Sequence, residues 1–250
     1  MPLRLLQCTI SRPLKAAESW RDGSVSTTSQ NRPCLPGTSL EVLRGGLVSI
    51  RPFTFEDVER RAHWPRYMEP EYSHLNMDLN SESRRQMWWR ERRRQRQPFW
   101  FAIDTLDGRL IGEETLREVD PRTKSARLGI HISPDFVGQG YGTDALRVLL
   151  SYLFDCLHYE EMKLDVAAHN RRAIRTYEKL GFETVESFWR IHPWVHQVLR
   201  DPRCVHLRPY VRLEDGIEVM KHWEMSLRVS KFRHASAGSA DSPETPESRP

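Results

Sequence analysis

Ser133-Pro134-Asp135-Phe136-Val137-Gly138-Gln139-Gly140-Tyr141-Gly142-Thr143-Asp144-Ala145-Leu146 decides how this chain is read. Three glycines alternate, and an apolar-periodic helix begins directly behind them. Glycine tolerates positive φ and lets a backbone approach a ligand closely. A helix N-terminus adds unpaired N–H groups and the positive end of a dipole. Together they make an anion site, most often for phosphate. A tight strand-to-helix turn without a ligand is the plainer alternative. The P-loop pattern is excluded, because no lysine follows the glycines. A dinucleotide fingerprint started at Gly138 needs glycine where Thr143 stands. It should also open a βαβ unit, whereas two hairpin-like strands precede this loop.

Outward from the loop, Phe99-Trp100-Phe101-Ala102-Ile103 predicts a strand, Asp107-Gly108 a turn, and Arg109 to Leu116 the returning strand. Asp120 to Lys124 turns again, and Ala126 to Ile132 follows as a third strand. Leu128, Ile130 and Ile132 share one face of it, and Arg127, Gly129 and His131 the other. Behind the loop, Leu146, Leu149, Leu150, Leu153, Phe154 and Leu157 recur at helical spacing. Met162 to Ala168 is a strand with Met162, Leu164, Val166 and Ala168 inward, so strand, helix and strand form a parallel crossover. Asn170 caps a helix from Arg171 to Leu180, striped by Ala173, Ile174, Tyr177 and Leu180. Gly181 fits the left-handed position past its end, followed by the apolar Phe182.

Val137-Gly138-Gln139-Gly140-Tyr141-Gly142, taken with Asn170-Arg171-Arg172-Ala173-Ile174-Arg175-Thr176-Tyr177-Glu178-Lys179-Leu180-Gly181-Phe182, resembles the GNAT superfamily of acyl-CoA N-acyltransferases. The branch it most resembles holds the ribosomal-protein-alanine and the diamine and spermidine acetyltransferases. The resemblance runs from about Leu47 to Leu227. It implies an α/β fold: a single GNAT-like domain whose mixed, mostly antiparallel sheet is flanked by helices, with splayed parallel strands at an acyl-CoA cleft. It implies acetyl-CoA as acyl donor, a primary amine as acceptor, direct transfer and no metal. It assigns the donor's pyrophosphate to Val137, Gly138, Gln139, Gly140, Tyr141, Gly142 and Thr143. The pantetheine arm falls to the strand backbone at Ile130 and Ile132 and to Asn170 and Ala173. Tyr177 matches the general acid. Its phenol, with an ordinary pKa of about 10, holds a proton for the departing thiolate. A core aromatic on the helix stripe is the plainer role for Tyr177.

One departure stands out. Many relatives carry a glutamate near Arg127 that takes the amine's proton, and an arginine cannot be that base. His131, on the same face, is the expected substitute, with Glu113 and Glu114 of the neighbouring strand as further candidates. A neutral amine needing little help is another solution. Arg127 is itself a candidate for holding a substrate carboxylate. Val137 stands where glutamine or arginine is frequent in the family.

The rest of the chain bounds this reading. Its 250 residues suit one large domain or two small ones, and 38% apolar residues can supply a core. Lysine and arginine number 38 against 34 acids, an excess too small to imply a nucleic-acid partner. No apolar run approaches a membrane span. Cys8, Cys34, Cys156 and Cys204 lack metal spacing and read as free thiols of a reducing, cytoplasmic compartment. Residues 1–45 and 231–250 read as a disordered extension and a disordered tail around a domain at 46–230. Thr54 to Asp57 has capping-box spacing before a helix to about Ala62. Trp64 to Asn80 is a proline-broken aromatic loop, a candidate pocket wall.

Ser81-Glu82-Ser83 opens a strongly basic helix through Arg96. That helix supports a reading from another class, an RNA- or ribosome-associated binding protein with a degenerate acetyltransferase site. A solvated face is its plainer and preferred use. Ile191 to Leu213 reads as a substrate-side insertion, and its His192 and His196 make no zinc motif. Asp215-Gly216 turns into a closing strand at His222 to Leu227. A polyamine site should gather carboxylates, whereas the expected pocket sets Arg127 and His131 beside Glu113 and Glu114 of the next strand, with the arginine helix not far in sequence. The balance points to a peptide N-terminus, or a small amine bearing an acidic group, in a monomer or homodimer.

Overall fold

The computed structural model describes residues 42–94, 99–192 and 194–238. Its strands are β1 (Leu43–Arg44), β2 (Val48–Pro52), β3 (Phe99–Thr105), β4 (Leu110–Asp120), β5 (Ser125–Ile132), β6 (Glu161–Ala167), β7 (Glu183–Ile191), β8 (Val211–Glu214) and β9 (Ile217–Arg228). They form one sheet in the order β1-β2-β3-β4-β5-β6-β9-β7, with β8 on β9. Every pairing is antiparallel except β5 with β6. The helices are α1 (Phe55–Arg61), α2 (Glu82–Arg94), α3 (Tyr141–Ser151), α4 (Arg171–Lys179), α5 (Val195–Val198) and α6 (Val229–Gly238). The fold is therefore the mixed, mostly antiparallel α/β sheet with flanking helices that the resemblance implied.

Helices cover both faces of the sheet, for reasons visible in the alternation of the strands. Ile103, Leu128 and Leu164 turn to one face, where Leu146, Leu149, Leu150 and Leu153 of α3 and its continuation bury completely. Ala102 and Trp100 turn to the other, against Val58 of α1 and Trp88 and Trp89 of α2. Burying side chains of this size stabilises by roughly 1.5–3 kcal/mol each. The capping box of α1 forms, with Asp57 accepting from the Thr54 N–H at 2.8 Å. Arg51 joins β2 to α1 and β3 through Asp57 and Asp104, each at 2.7 Å. At the end of α4, Gly181 has φ +94°, and the Phe182 and Gly181 N–H groups donate to Tyr177 and Glu178 carbonyls. That is the Schellman closure expected from glycine at this place.

Four expectations need correction. Leu43–Arg44, placed in the disordered extension, form β1 against Ile50 and Ser49, because Gly45 N–H closes a turn onto the Val48 carbonyl; residues 1–41 lie outside the described residues. The first residues of the expected tail at 231–250 are helical, since Phe232 is buried with its ring 5.3 Å from Phe154. Residues 239–250 lie outside the described residues. Cys204 is a free buried thiol as expected, but Cys156 is disulfide-bonded. The closing strand is longer than His222–Leu227, because β9 begins at Ile217 and serves β6, β7 and β8 together.

Candidate active site

The parallel ladder between β5 and β6 holds only at Ser125–Glu161, Ala126–Met162 and Arg127–Lys163. Beyond that point the strands part. The Ser133 N–H donates to the Ile111 carbonyl at 2.7 Å, and the register pairs Ile132 with Gly112 and Ile130 with Glu114. Backbone groups alternate direction along an antiparallel strand. Ser133, His131 and Gly129 therefore bond to β4, and Ile132 and Ile130 direct their N–H and C=O groups toward the gap beside β6. The Ile132 carbonyl accepts from the Tyr67 hydroxyl. The Ile130 groups have no ladder partner among the described residues, which is costly for a strand unless something else occupies the gap.

The glycine loop meets this gap from the α3 side. Gly138 and Gly140 take φ +81° and +89°, and Gly140 is the N-cap of α3. A side chain at either position would be strained. Added to Gly142, a Cβ would lie 3.4 Å from Ile132 Cγ1, so the first turn of α3 sits directly over β5. Val137 precedes the loop half-buried, Gln139 is exposed, and Tyr141 and Thr143 lie in the first turn. The first N–H groups of α3 have no partner within the helix. Asp144 anchors the turn by accepting from the Leu47 N–H at 2.7 Å and the Val48 N–H at 3.2 Å. A Cβ on Gly45 would fall 2.4 Å from its Oδ2, which explains glycine there.

Across the gap, Asn170 caps α4, its Oδ1 accepting from the Ala173 N–H at 3.2 Å and from the Tyr72 hydroxyl at 3.4 Å. Tyr177 is buried on the same helix, its ring 5.8 Å from Phe182. Burial, with Asp165 and Glu114 adding negative charge, pushes its phenol well above the ordinary value. It therefore holds its proton at neutral pH. Glu114 is fully buried on the Ile130 face of the sheet, and neither carboxylate oxygen has a partner among the described residues. Burial pushes its carboxyl up to about 8.

The opposite face of β5 carries a different cluster. His131 Nδ1 lies 2.7 Å from Arg61 Nη2 and 3.8 Å from Glu113 Oε1. A guanidinium only donates, so Nδ1 accepts and the ring proton sits on Nε2. Nε2 is buried without a partner among the described residues. Burial lowers the pKa of His131, Glu113 opposing and the Arg61 charge adding to it. His131 thus presents a hydrogen-bond donor rather than the base expected of it. Glu113 is no better a base. Burial opposes its ionisation, but Arg61, His131 and Arg92 outweigh burial and hold its carboxyl at about 2. It accepts from Arg61 and from Trp100 Nε1.

Arg127 is not available to a substrate. It bonds Glu118 at 2.9 Å, Asp165 at 3.3 Å and Glu224 at 2.8 Å, tying β5 to β4, β6 and β9 just where the gap opens. Beside this floor lies a cavity of about 350 Å3, lined by Arg61, Arg92, Arg117, Thr115, His131 and the Gly129–Ile130 edge among others. His74 and Leu75 close its far side. They belong to a 3-10 turn at Pro70–Leu75, on which the 191–213 segment packs, with His74 stacked on Trp194 at 4.4 Å and Glu71 3.5 Å from His206. The described part of the insertion therefore lies on the cavity side. The gap between β5 and β6 joins a loop-and-helix side to a cavity side.

A family model described as an acetyltransferase (GNAT) domain matches residues 48–183. The chain belongs to the GNAT acetyltransferase family. As a GNAT member it is 34% identical over 82 residues to spermidine N(1)-acetyltransferase of Escherichia coli strain K12, covering 33% of this chain and 44% of that protein. It is 32% identical over 76 residues to the putative ribosomal N-acetyltransferase YdaF of Bacillus subtilis strain 168, covering 30% and 42%. It is 25% identical over 150 residues to the probable N-acetyltransferase YjcK of the same strain, covering 56% and 83%. Its match to the spermidine and ribosomal relatives spans under half the length of each.

Among solved structures the fold is shared with spermidine N-acetyltransferase from Vibrio cholerae in complex with CoA and spermine. The TM-score is 0.55 at 18% identity, over 74% of this chain and 98% of that one. A GCN5-related N-acetyltransferase from Brucella melitensis gives 0.60 at 17% identity, over 85% and 89%. The described residues hold no cluster that could bind a metal and no helix long and apolar enough to cross a membrane.

Sequence reasoning missed Arg61 and Arg92, and placed Tyr67 in a candidate pocket wall without its bond to Ile132. No local signal marks Arg61 or the Tyr67 contact, which reach β5 from 70 and 65 residues away. Arg92 was hidden in a charge run whose obvious use is solvation.

Proposed function

We propose that this GNAT chain transfers the acetyl group of acetyl-CoA to a primary amine, a peptide N-terminus or a small amine. The observation that carries this is the parting of β5 from β6 after Arg127–Lys163, directly beneath a loop with two left-handed glycines. The donor's pyrophosphate lies against Val137 to Thr143, where N–H groups and the α3 dipole favour it. The pantetheine arm fills the gap and bonds the Ile130 and Ile132 edge, with Asn170 and Ala173 at its flank. The acceptor enters from the cavity side.

The amine nitrogen attacks the thioester carbonyl. The oxygen charge that develops is met by the backbone N–H at Ile132. The C–S bond then breaks, and Tyr177 gives its proton to the thiolate. His131 donates from Nε2 on the acceptor side. Neither His131 nor Glu113 can take the amine's proton, and Glu114 lies on the other face. An α-amine, with a pKa of about 8, arrives partly neutral and loses its proton to water. That favours an α-amine over the more basic amines of a polyamine.

Of the α2 arginines, Arg85 and Arg92 are half-buried, Arg85 donating to the Leu79 carbonyl at 3.0 Å and Arg92 lying over the Trp88 ring at 5.2 Å, while Arg84, Arg90, Arg93 and Arg94 form an exposed, solvated face. The GNAT family match and the parting of β5 from β6, not the helix, support the enzyme over the nucleic-acid reading. A monomer or homodimer completes the proposal. The Cys156 disulfide is unusual for the reducing cytoplasm that the sequence suggested. A Cys156 that thiol reagents label in fresh cell extract supports the cytoplasm, and an unlabelled one places the protein in an oxidising compartment. The test of function is thiol release from acetyl-CoA with N-terminal peptides, amino acids, spermidine and aminoglycosides in parallel. Release with an N-terminal peptide is expected. No release with any amine, although acetyl-CoA binds, overturns the proposal.

A further inference from the structure

The acceptor cavity is built for negative charge. Three guanidinium groups line it, those of Arg61, Arg92 and Arg117. The one carboxylate in its lining, Glu113, is held by Arg61 and Trp100. Among the described residues Arg117 reaches only Asp165, at 3.8 Å, and that carboxylate is shared with Arg127 at 3.3 Å and Arg190 at 2.6 Å. Arg92 has no carboxylate within ion-pair distance among the described residues. It is half-buried, with its guanidinium 5.2 Å from the Trp88 ring centre and 6.0 Å from that of Trp100. Burial lowers its pKa, with only Glu113 opposing and Arg61 and Arg117 adding to the effect. A guanidinium withdrawn from water without an anion is unfavourable, and two flat indoles fix its fork in place.

Resting on the acetyl-transfer reading, we infer that the acceptor amine carries an anionic group, a carboxylate or a phosphate, held in this cavity by Arg92 with Arg117 beside it. Guanidinium groups bind both oxyanions in the same forked geometry. His131, with its free Nε2–H, and Thr115 supply further hydrogen-bond groups on the same wall. A polyamine, cationic along its length, meets three arginines there and is disfavoured.

The test uses peptides of one length with an N-terminal alanine and aspartate, phosphoserine, serine or lysine at the second position. Their kcat/KM values are measured with the full chain and with Arg92→Lys, Arg92→Gln and Arg92→Glu. The parent should prefer aspartate or phosphoserine over lysine by at least tenfold, mainly through KM. Arg92→Lys should keep the preference, Arg92→Gln should reduce it, and Arg92→Glu should reverse it. Acetyl-CoA affinity should stay unchanged in all three. A greater response to phosphoserine than to aspartate would identify phosphate as the group.

Indole fluorescence from Trp88 and Trp100 gives a second readout that needs no turnover. The N-acetylated Ala-Asp peptide should quench it in the parent and not in Arg92→Glu. Equal use of acidic and basic peptides, or a preference untouched by Arg92→Glu, overturns the inference while leaving acetyl transfer standing. If the parent acetylates no amine, the proposed function fails, and quenching by the product peptide alone decides the anion site.

Discussion

Replacing Glu114 with glutamine should stabilise the protein at neutral pH. The carboxyl is fully buried, has no partner for either oxygen among the described residues, and is pushed up to about 8 by burial alone. In the unfolded chain its reference value is 4.5. At pH 7 folding therefore forces the group to take up a proton that water would let it release. Linkage puts the cost at about 3 kcal/mol. Glutamine has the shape of the protonated acid and never ionises, so it escapes this term. For a domain of this size 1 kcal/mol moves Tm by roughly 2–4 °C, so Glu114→Gln should melt about 6–12 °C higher at pH 7. The sign is specific. Below about pH 4.5 both states hold the proton and the advantage vanishes. It grows between pH 4.5 and 8 and is constant above. Thermal melts of parent and variant across that range test it. Equal Tm values at pH 7, or an advantage that persists undiminished at pH 4, would refute an unpartnered carboxyl under Ile130.

Tyr177→Phe should lower the single-turnover rate roughly 10²-fold, the low end for acid catalysis, with acetyl-CoA affinity nearly unchanged; equal rates would make Tyr177 a packing residue. S-acetylpantetheine, which lacks the ADP pyrophosphate, should show at least tenfold lower kcat/KM than acetyl-CoA, because the loop then has no phosphate to bind; parity would remove the loop assignment. His169 and His192 are lowered to about 4 mainly by burial, with neighbouring histidines adding. Below pH 6.5 the unfolded chain binds protons that the folded one refuses, so they should make stability fall from pH 6.5 toward pH 4. The double variant His169→Gln, His192→Gln should flatten that limb of the Tm curve.

What the sequence made legible was local. The alternating glycines before Tyr141, the stripe of Leu146 to Phe154, and Asn170 with Gly181 bounding α4 each state a backbone conformation within a few residues. The facing of β5 follows from its alternation alone. The failures are long-range. Arg127 looked free because Glu118, Asp165 and Glu224 come from three other strands, and only pairing brings them to it. His131 looked like a base because its tautomer is set by Arg61 of α1. Glu113 and Glu114 are neighbours in sequence but face opposite sides of one strand. One is paired and held at about 2, and the other, without a partner among the described residues, is pushed to about 8. No composition argument separates them.

The central claim is that an acetyl group crosses from the loop-and-helix side to an amine in the cavity. The measurement closest to it is mass spectrometry of an N-terminal peptide incubated with the protein and carbon-13-labelled acetyl-CoA. The account predicts a labelled acetyl group on the α-amine of the peptide, formed in step with free CoA and abolished by blocking that amine. An unlabelled peptide, under conditions where calorimetry shows acetyl-CoA bound, would contradict it.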